Sequence, residues 1–101
     1  MSWKNWISEC LDNVVDCADE LIEQSFGLKA EVSILDELII ERISILAAVG
    51  GPNVWYHIYR DKIVREVLWV DREVEEYKDT RIRGLFSELE ERVKELIKSV
   101  K

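Results

Sequence analysis

The stretch that decides the fold is Gly50-Gly51-Pro52 followed by Val54-Trp55-Tyr56-His57-Ile58-Tyr59. Two glycines and a proline end a helix. The β-branched and aromatic residues after them are typical of a strand. A second run of this kind, Ile63 to Val70, follows the polar pair Asp61-Lys62. The sequence therefore predicts a β-hairpin over residues 54–70.

The register of this hairpin follows from the length of its turn. A two-residue loop at Asp61-Lys62 places His57 directly opposite Glu66, and opposite charges are a favourable cross-strand pair. Asp-Lys is a poorer turn than Asn-Gly, so a loop of three or four residues stays open as an alternative. A further turn at Asp71-Arg72 predicts a short third strand over residues 73–77.

Apolar residues at helical spacing predict three helices around the hairpin. The first spans residues 2–26 and the second spans residues 33–49. The last begins at Asp79 or Thr80, either of which is a good N-cap. The second is apolar nearly all round, so we expect it to be the most buried element.

These elements predict a single α+β domain of 101 residues. Its parts are two N-terminal helices, a small antiparallel β-hairpin or three-stranded meander, and a C-terminal helix. An all-α four-helix bundle is the alternative. It arises because helical spacing also connects Ile63, Val67, Val70, Val74 and Tyr77.

Composition and charge exclude several classes of protein. The net charge of −7 argues against direct binding of nucleic acid. No stretch approaches the roughly 20 apolar residues of a membrane span. Cys10 and Cys17 would lie about 10 Å apart on a continuous helix, too far for a disulfide. Two reduced thiols are typical of a cytoplasmic protein, which is the location we expect.

The negative charge is concentrated on the first helix. Over about 21 Å the helix would carry one carboxylate per roughly 4 Å, close to the phosphate spacing of about 3.4 Å along a nucleic-acid strand. The pattern predicts a surface for a protein partner with a basic groove, and a solvated face that maintains solubility is the alternative. The residues of this acidic stripe are Glu9, Asp12, Asp16, Asp19, Glu20 and Glu23.

A second candidate surface is the side of the small sheet that the helices cannot cover. Its predicted residues are rich in aromatic and aliphatic side chains, which are enriched at interfaces. We expect it to be buried against a second copy of the chain or another protein. A helix wrapped over it is the alternative. The predicted residues are Trp55, His57, Tyr59, Val64, Leu68 and Tyr77.

The sequence predicts no catalytic residue, no metal site and no cofactor. His57 with Glu66 would form a general base, but the pair has no evident nucleophile or metal beside it. No Gly-rich phosphate loop, CxxC pair or nucleophile elbow is present. A Mg²⁺-dependent nucleotide hydrolase is a weaker alternative, with carboxylates at Glu20, Glu23, Glu37 and Glu41.

Two resemblances bear on function. Glu20-Leu21-Ile22-Glu23 resembles half of the paired ExxE signature of the all-α nucleotide pyrophosphohydrolases, and the second half is missing. The order of an amphipathic helix, Gly50 to Trp55, a hairpin and an Asp/Thr-capped helix resembles small acidic accessory proteins of phages, archaeal viruses and plasmids. That resemblance implies an inhibitor of host restriction or CRISPR machinery and transfers no catalytic residue.

The function predicted from the sequence is therefore a non-enzymatic protein-binding module acting through its acidic surface. A homodimeric protein with a structural or assembly role is the first alternative. The Mg²⁺-dependent hydrolase is the second.

Overall fold

Three helices pack on one face of a five-stranded antiparallel sheet in the computed structural model, which describes residues 2–34 and 38–99. The strands follow one another across the sheet in chain order, each antiparallel to the next. The elements are α1 (Trp3–Cys10), α2 (Val14–Glu23), β1 (Gly27–Ile34), β2 (Leu38–Ala48), β3 (Asn53–Ile58), β4 (Lys62–Leu68), β5 (Arg72–Lys78) and α3 (Ile82–Ser99).

The core lies between the helices and the covered face of the sheet. Ile43, Ile58 and Ile63 occupy one row across β2, β3 and β4, and all three are fully buried. Ile7 of α1 and Phe86 of α3 are buried with them. Because side chains alternate along a strand, the residues between these positions point to the opposite, open face of the sheet.

The predicted second helix is wrong, because residues 38–48 form β2. Two β-bulges explain the error: the register of β2 shifts against β1 beside Glu41 and against β3 near Ala47. The residues of β2 that face the helices are consequently spaced three, two and three apart, which imitates helical periodicity. These residues are Ile40, Ile43, Ile45 and Ala48.

The predicted small hairpin or three-stranded meander is also wrong, because the sheet has five strands. Residues 53–78 do form three neighbouring strands, and the four-helix bundle does not fit them. The β3–β4 register differs from the predicted one by two residues, with His57 opposite Val64. The cause is a turn displaced by one residue: the Tyr59 amide donates to the Lys62 carbonyl at 2.9 Å, so the turn encloses Arg60 and Asp61 instead of Asp61 and Lys62. Strand β4 ends at Leu68, so Trp69 is 67% exposed in the next turn.

The predicted first helix is divided into α1 and α2 by a break after Cys10. Asn13 caps the second part, because its side chain accepts a hydrogen bond from the Asp16 amide at 3.2 Å. The break brings the Cα atoms of Cys10 and Cys17 to 5.1 Å, and the two residues form a disulfide. The prediction of reduced thiols was wrong because it assumed a continuous helix.

The prediction for the last helix is confirmed. Asp79 accepts a hydrogen bond from the Arg81 amide at 2.9 Å, directly before α3 begins at Ile82. The Arg81 guanidinium and amide, with help from the Tyr77 hydroxyl, hold the pKa of the Asp79 carboxyl far below its usual range. In the part of the chain that the structure describes, no helix has the length and apolarity to cross a membrane.

Candidate functional site: the open face of the sheet

The open face carries a continuous hydrogen-bonded chain of polar side chains across its centre. Ser44 Oγ lies 2.7 Å from His57 Nδ1, and His57 Nε2 lies 3.0 Å from Glu66 Oε1. Neighbouring strands supply the three residues: Ser44 is on β2, His57 on β3 and Glu66 on β4. Ser44 is directly opposite His57 in register, and Glu66 reaches His57 diagonally. Three strands thus hold a hydroxyl, an imidazole and a carboxylate in line.

The charges around the Ser44–His57–Glu66 hydrogen bonds determine which side chain donates in each of them. Arg72 donates from Nε to the second oxygen of Glu66. This hydrogen bond, and after it the one from His57, lowers the pKa of the Glu66 carboxyl. An ionised carboxylate only accepts hydrogen bonds, so the ring proton lies on His57 Nε2. In the neutral imidazole, Nδ1 is then an acceptor to which the Ser44 hydroxyl donates.

A cavity of about 200 Å³ opens directly over Ser44 and His57. Trp55 forms one wall, with its ring parallel to the His57 ring (7° between planes) and the two centroids 6.1 Å apart. The Lys29 ammonium lies 5.0 Å from the centre of the Trp55 ring, a distance at which a cation and an aromatic face attract. The aromatic wall therefore restrains both the imidazole and a cation at the rim.

Arg42 supplies a second cation to the cavity. Its Nη1 donates to the Tyr59 hydroxyl at 3.4 Å, and its Nη2 pairs with Glu31. Its Nε is buried and has no hydrogen-bond partner among the described residues. A buried N–H without a partner is costly and calls for an explanation. This donor lies on the same strand and the same face as Ser44, two residues away.

Five of the six residues predicted to form a dimer or partner face share the open face. Trp55, His57, Tyr59 and Val64 are half-buried there, and Leu68 is 37% exposed. Tyr77 lies on the covered face instead, opposite Ile63 and 6.3 Å from the Trp3 ring. The open face consequently carries a polar network beside the aromatic and aliphatic side chains that the sequence predicted there.

The acidic stripe is divided between two helices and partly neutralised. Asp12 pairs with Arg81 at 2.6 Å, and Asp19 pairs with Arg92 at 2.7 Å. Both arginines belong to the region around α3, which the charge pattern of the first helix does not reveal. Glu9, Asp16, Glu20 and Glu23 remain exposed. The even spacing of charge along one straight helix, on which the comparison with a phosphate backbone depended, is absent.

The carboxylates proposed for magnesium are distributed over different elements. Glu20 and Glu23 are on α2, Glu41 lies at the bulge of β2, and Glu37 falls outside the described residues. Within residues 2–34 and 38–99, no group of three or more His, Cys, Asp or Glu side chains is arranged to hold a metal ion.

The sequence alone did not identify Ser44, Arg42 or Lys29 as members of this site. The available signal was the alternation of polar Arg42 and Ser44 with apolar Ile43 and Ile45, which is the period of a strand. The bulges beside Glu41 and near Ala47 limit that alternation to a few residues, too short a stretch to predict a strand.

The two edges of the sheet differ in charge pattern. The outer edge of β1 carries Lys29 and Glu31 on the open face, separated by Ala30 on the covered face. The outer edge of β5 carries Glu73, Glu75 and Glu76. Both strands have a partner on one side only, so each has backbone groups that are able to pair with another chain. No known protein family, curated protein or solved structure matches this chain.

Proposed function

We propose that the protein is a protein-binding module that works as a homodimer, joined by antiparallel pairing of β1 with β1 of a second copy. The observation that carries this proposal is the order Lys29-Ala30-Glu31 on an open sheet edge. A two-fold axis at Ala30 places Lys29 of each copy directly opposite Glu31 of the other. The sheet then becomes a continuous ten-stranded sheet, by strand addition.

The covered face supports the same register. Leu28 of one copy lies opposite Val32 of the other, and Val32 is 42% exposed in the single chain. Pairing would bury this side chain against an aliphatic neighbour. Cross-strand aliphatic and opposite-charge pairs each contribute roughly 0.2–1 kcal/mol. The two-fold axis makes every pair occur twice.

The neighbouring registers are disfavoured by charge. An axis at Lys29 opposes two lysines, and an axis at Glu31 opposes two glutamates. A shift by one residue turns the covered face of one copy to the open face of the other. The register at Ala30 is therefore selected by the sequence of the strand. The β2 bulge leaves β1 regular, because the extra residue, Glu41, belongs to β2.

The other edge of the sheet rejects the same type of pairing. Any axis on residues 73–76 of β5 places a glutamate opposite a glutamate, and an axis at Tyr77 pairs Glu76 with Lys78 but opposes Glu75 to Asp79. Like charges directly opposite each other destabilise a pair of strands. One edge is therefore suited to self-association and the other resists it, which gives a closed dimer rather than an open fibre.

A charge-swap series in sedimentation velocity tests this proposal. We expect a dimer for the wild type, and a dissociation constant raised at least about tenfold in Lys29→Glu and in Glu31→Lys, because each single change opposes like charges twice. The double variant Lys29→Glu/Glu31→Lys restores the opposite-charge pairs and the dimer. Glu73→Lys on the β5 edge is the matched control and leaves the dimer intact.

Two results contradict the proposal: a wild type that remains monomeric over the concentration series, or single variants that dimerise as well as the wild type. Thermal melts of all four variants show whether each is folded. A variant that fails to fold is replaced by the neutral change Lys29→Gln or Glu31→Gln, for which a weaker dimer is expected.

Inhibition of host machinery through the acidic stripe and a basic partner stays a prediction from the sequence. The ion pairs of Asp12 with Arg81 and of Asp19 with Arg92 leave fewer carboxylates for such a partner. The cytoplasmic location also stays a prediction. Its argument from reduced thiols is lost with the Cys10–Cys17 disulfide, since disulfides persist mainly in oxidising compartments.

A further inference from the structure

We propose that Ser44 is a nucleophile activated by His57 and Glu66, and that the cavity above it hydrolyses small carboxylic esters. This activity goes beyond the proposed dimer and does not depend on it. Strand addition at β1 extends the sheet sideways and leaves the open face uncovered. The expectation of no catalysis rested on a His–Glu pair without a nucleophile, and β2 supplies that nucleophile.

The geometry meets the requirements for an activated serine. A hydroxyl nucleophile needs a base within hydrogen-bond reach, and the base needs a third group that orients it. Ser44 Oγ is 2.7 Å from Nδ1, and Nε2 is 3.0 Å from Glu66. Arg72 keeps Glu66 ionised, and the parallel Trp55 ring covers one side of the imidazole. The roles of the two ring nitrogens are exchanged relative to the usual arrangement, but the proton transfer is the same.

Arg42, which lines the cavity, supplies the fourth element of the site. Acyl transfer develops negative charge on the carbonyl oxygen, and preorganised donors that meet this charge contribute strongly to the rate. The Arg42 guanidinium lines the cavity and belongs to a residue two positions from Ser44 on the same face, so its positive charge faces the reacting carbonyl.

The reaction proceeds with atoms and charge in balance. Ser44 Oγ forms a bond to the carbonyl carbon as its proton passes to His57 Nδ1, and the carbonyl electron pair moves onto the oxygen, whose negative charge the Arg42 guanidinium attracts. The tetrahedral species collapses, the bond to the alcohol breaks, and the alcohol takes the proton from Nδ1. Water then attacks the acyl carbon as its proton passes to Nδ1. The bond between that carbon and Ser44 Oγ breaks, Oγ takes the proton from Nδ1, and a carboxylic acid leaves.

Burial limits the substrate. Ser44 is only 3% exposed, and the cavity measures about 200 Å³. An acyl group of a few carbon atoms fits such a volume, whereas a folded protein chain does not reach the hydroxyl. The class of substrate is therefore a short-chain ester with a small alcohol.

Covalent labelling tests the nucleophile. We expect ethyl fluorophosphonate to modify Ser44, with the adduct located by mass spectrometry of the Ser44 peptide. Ser44→Ala loses the adduct, while Ser87→Ala, an exposed serine on α3, keeps the wild-type rate. Absence of an adduct on the wild type, or an adduct that survives in Ser44→Ala, overturns the proposal. Near-ultraviolet circular dichroism establishes that both variants are folded.

Turnover of ethyl acetate, followed by the release of acetic acid, tests the roles of the partners. His57→Ala should lower kcat/KM by about 10²-fold or more, the usual contribution of a general base. Glu66→Gln, as a positioning residue, should lower kcat with little change in KM and should shift the pH profile of kcat. Equal kcat and an unshifted pH profile in Glu66→Gln contradict the assigned role. Equal kcat/KM in wild type and Ser44→Ala overturns the catalytic site while leaving the dimer proposal untouched.

Discussion

The two faces of the sheet are built from the same five strands but have opposite chemistry. On the covered face, Ile43, Ile58 and Ile63 form a dry row under the helices. On the open face, the adjacent row holds Ser44 and His57 in a hydrogen-bonded chain. One face excludes water and stabilises the fold, and the other uses the rigidity of that fold to position polar groups. Neighbouring residues in the chain should therefore respond very differently to the same substitution.

The largest expected contrast lies between Ile43 and Ser44, which are adjacent on β2. Ile43→Ala removes a fully buried side chain from the core, and we expect the free energy of unfolding to fall by about 2–5 kcal/mol. Ser44→Ala removes one hydrogen bond and should cost only about 1 kcal/mol. Urea denaturation followed by circular dichroism measures both values.

Similar losses in the two variants would break the comparison, because the open face would then contribute to stability as much as the core. Ala47→Ser provides a control on the same strand, since Ala47 is half-buried and contacts the core only at its margin. We expect it to change stability less than Ile43→Ala.

The sequence analysis recognised the period of two in β3 but missed it in β1, where Leu28, Ala30 and Val32 alternate with polar residues. Val54, Tyr56 and Ile58 alternate cleanly with polar or half-buried residues, and β3 lies where the pattern indicated. Strand β2 was predicted as a helix because two bulges gave its core residues a helical spacing. Since Ser44 belongs to β2, the error in secondary structure also kept Ser44 out of the predicted site. The His57–Glu66 contact was found despite an incorrect register, because Glu66 reaches His57 diagonally.

The error in the first helix has a different physical origin. A helical stripe of apolar residues continues through residues 3–22, and α1 and α2 both follow it. Leu11 lies at the break and is still buried, so burial alone does not reveal the interruption. The local signal was Asp12-Asn13, since Asn is among the best residues for starting a helix. The disulfide depends on that break.

Reduction of the Cys10–Cys17 disulfide should affect the helical layer more than the open face. Breaking the Cys10–Cys17 disulfide, which joins residues seven apart, should lower the free energy of unfolding by about 2–3 kcal/mol in the chain-entropy account. We expect amide hydrogen exchange to increase in α1 and α2 and to stay unchanged around Ser44 and His57. If exchange increased equally on β2 and β3, reduction would destabilise the sheet as much as the helices, and this would contradict the prediction.

The variant Cys10→Ala/Cys17→Ala is the control for this measurement. It should have the stability of the reduced wild type, and added reductant should not change it further. A reductant effect on this variant would show that something other than the disulfide responds.

The smallest expected effect concerns pH and the open face. Arg72, and after it His57, lowers the pKa of Glu66 from its ordinary value of 4.5. The folded state therefore binds this proton less readily than the unfolded state. The stability that Glu66 contributes is fully present above about pH 4.5 and is lost as the pH falls through the lower folded pKa.

Glu66→Gln isolates that contribution, because the remaining carboxyls titrate in both proteins. We expect the wild type to lose more stability than Glu66→Gln between neutral pH and acid, by no more than about 1 kcal/mol, since Arg72 is largely exposed and solvent weakens the pair. Glu91→Gln, at an exposed position on α3, removes the same charge and should follow the wild type. If Glu66→Gln and Glu91→Gln gave the same acid profile, the carboxylate would not be held by Arg72 and His57, and the distinction between the two faces would lose its electrostatic basis.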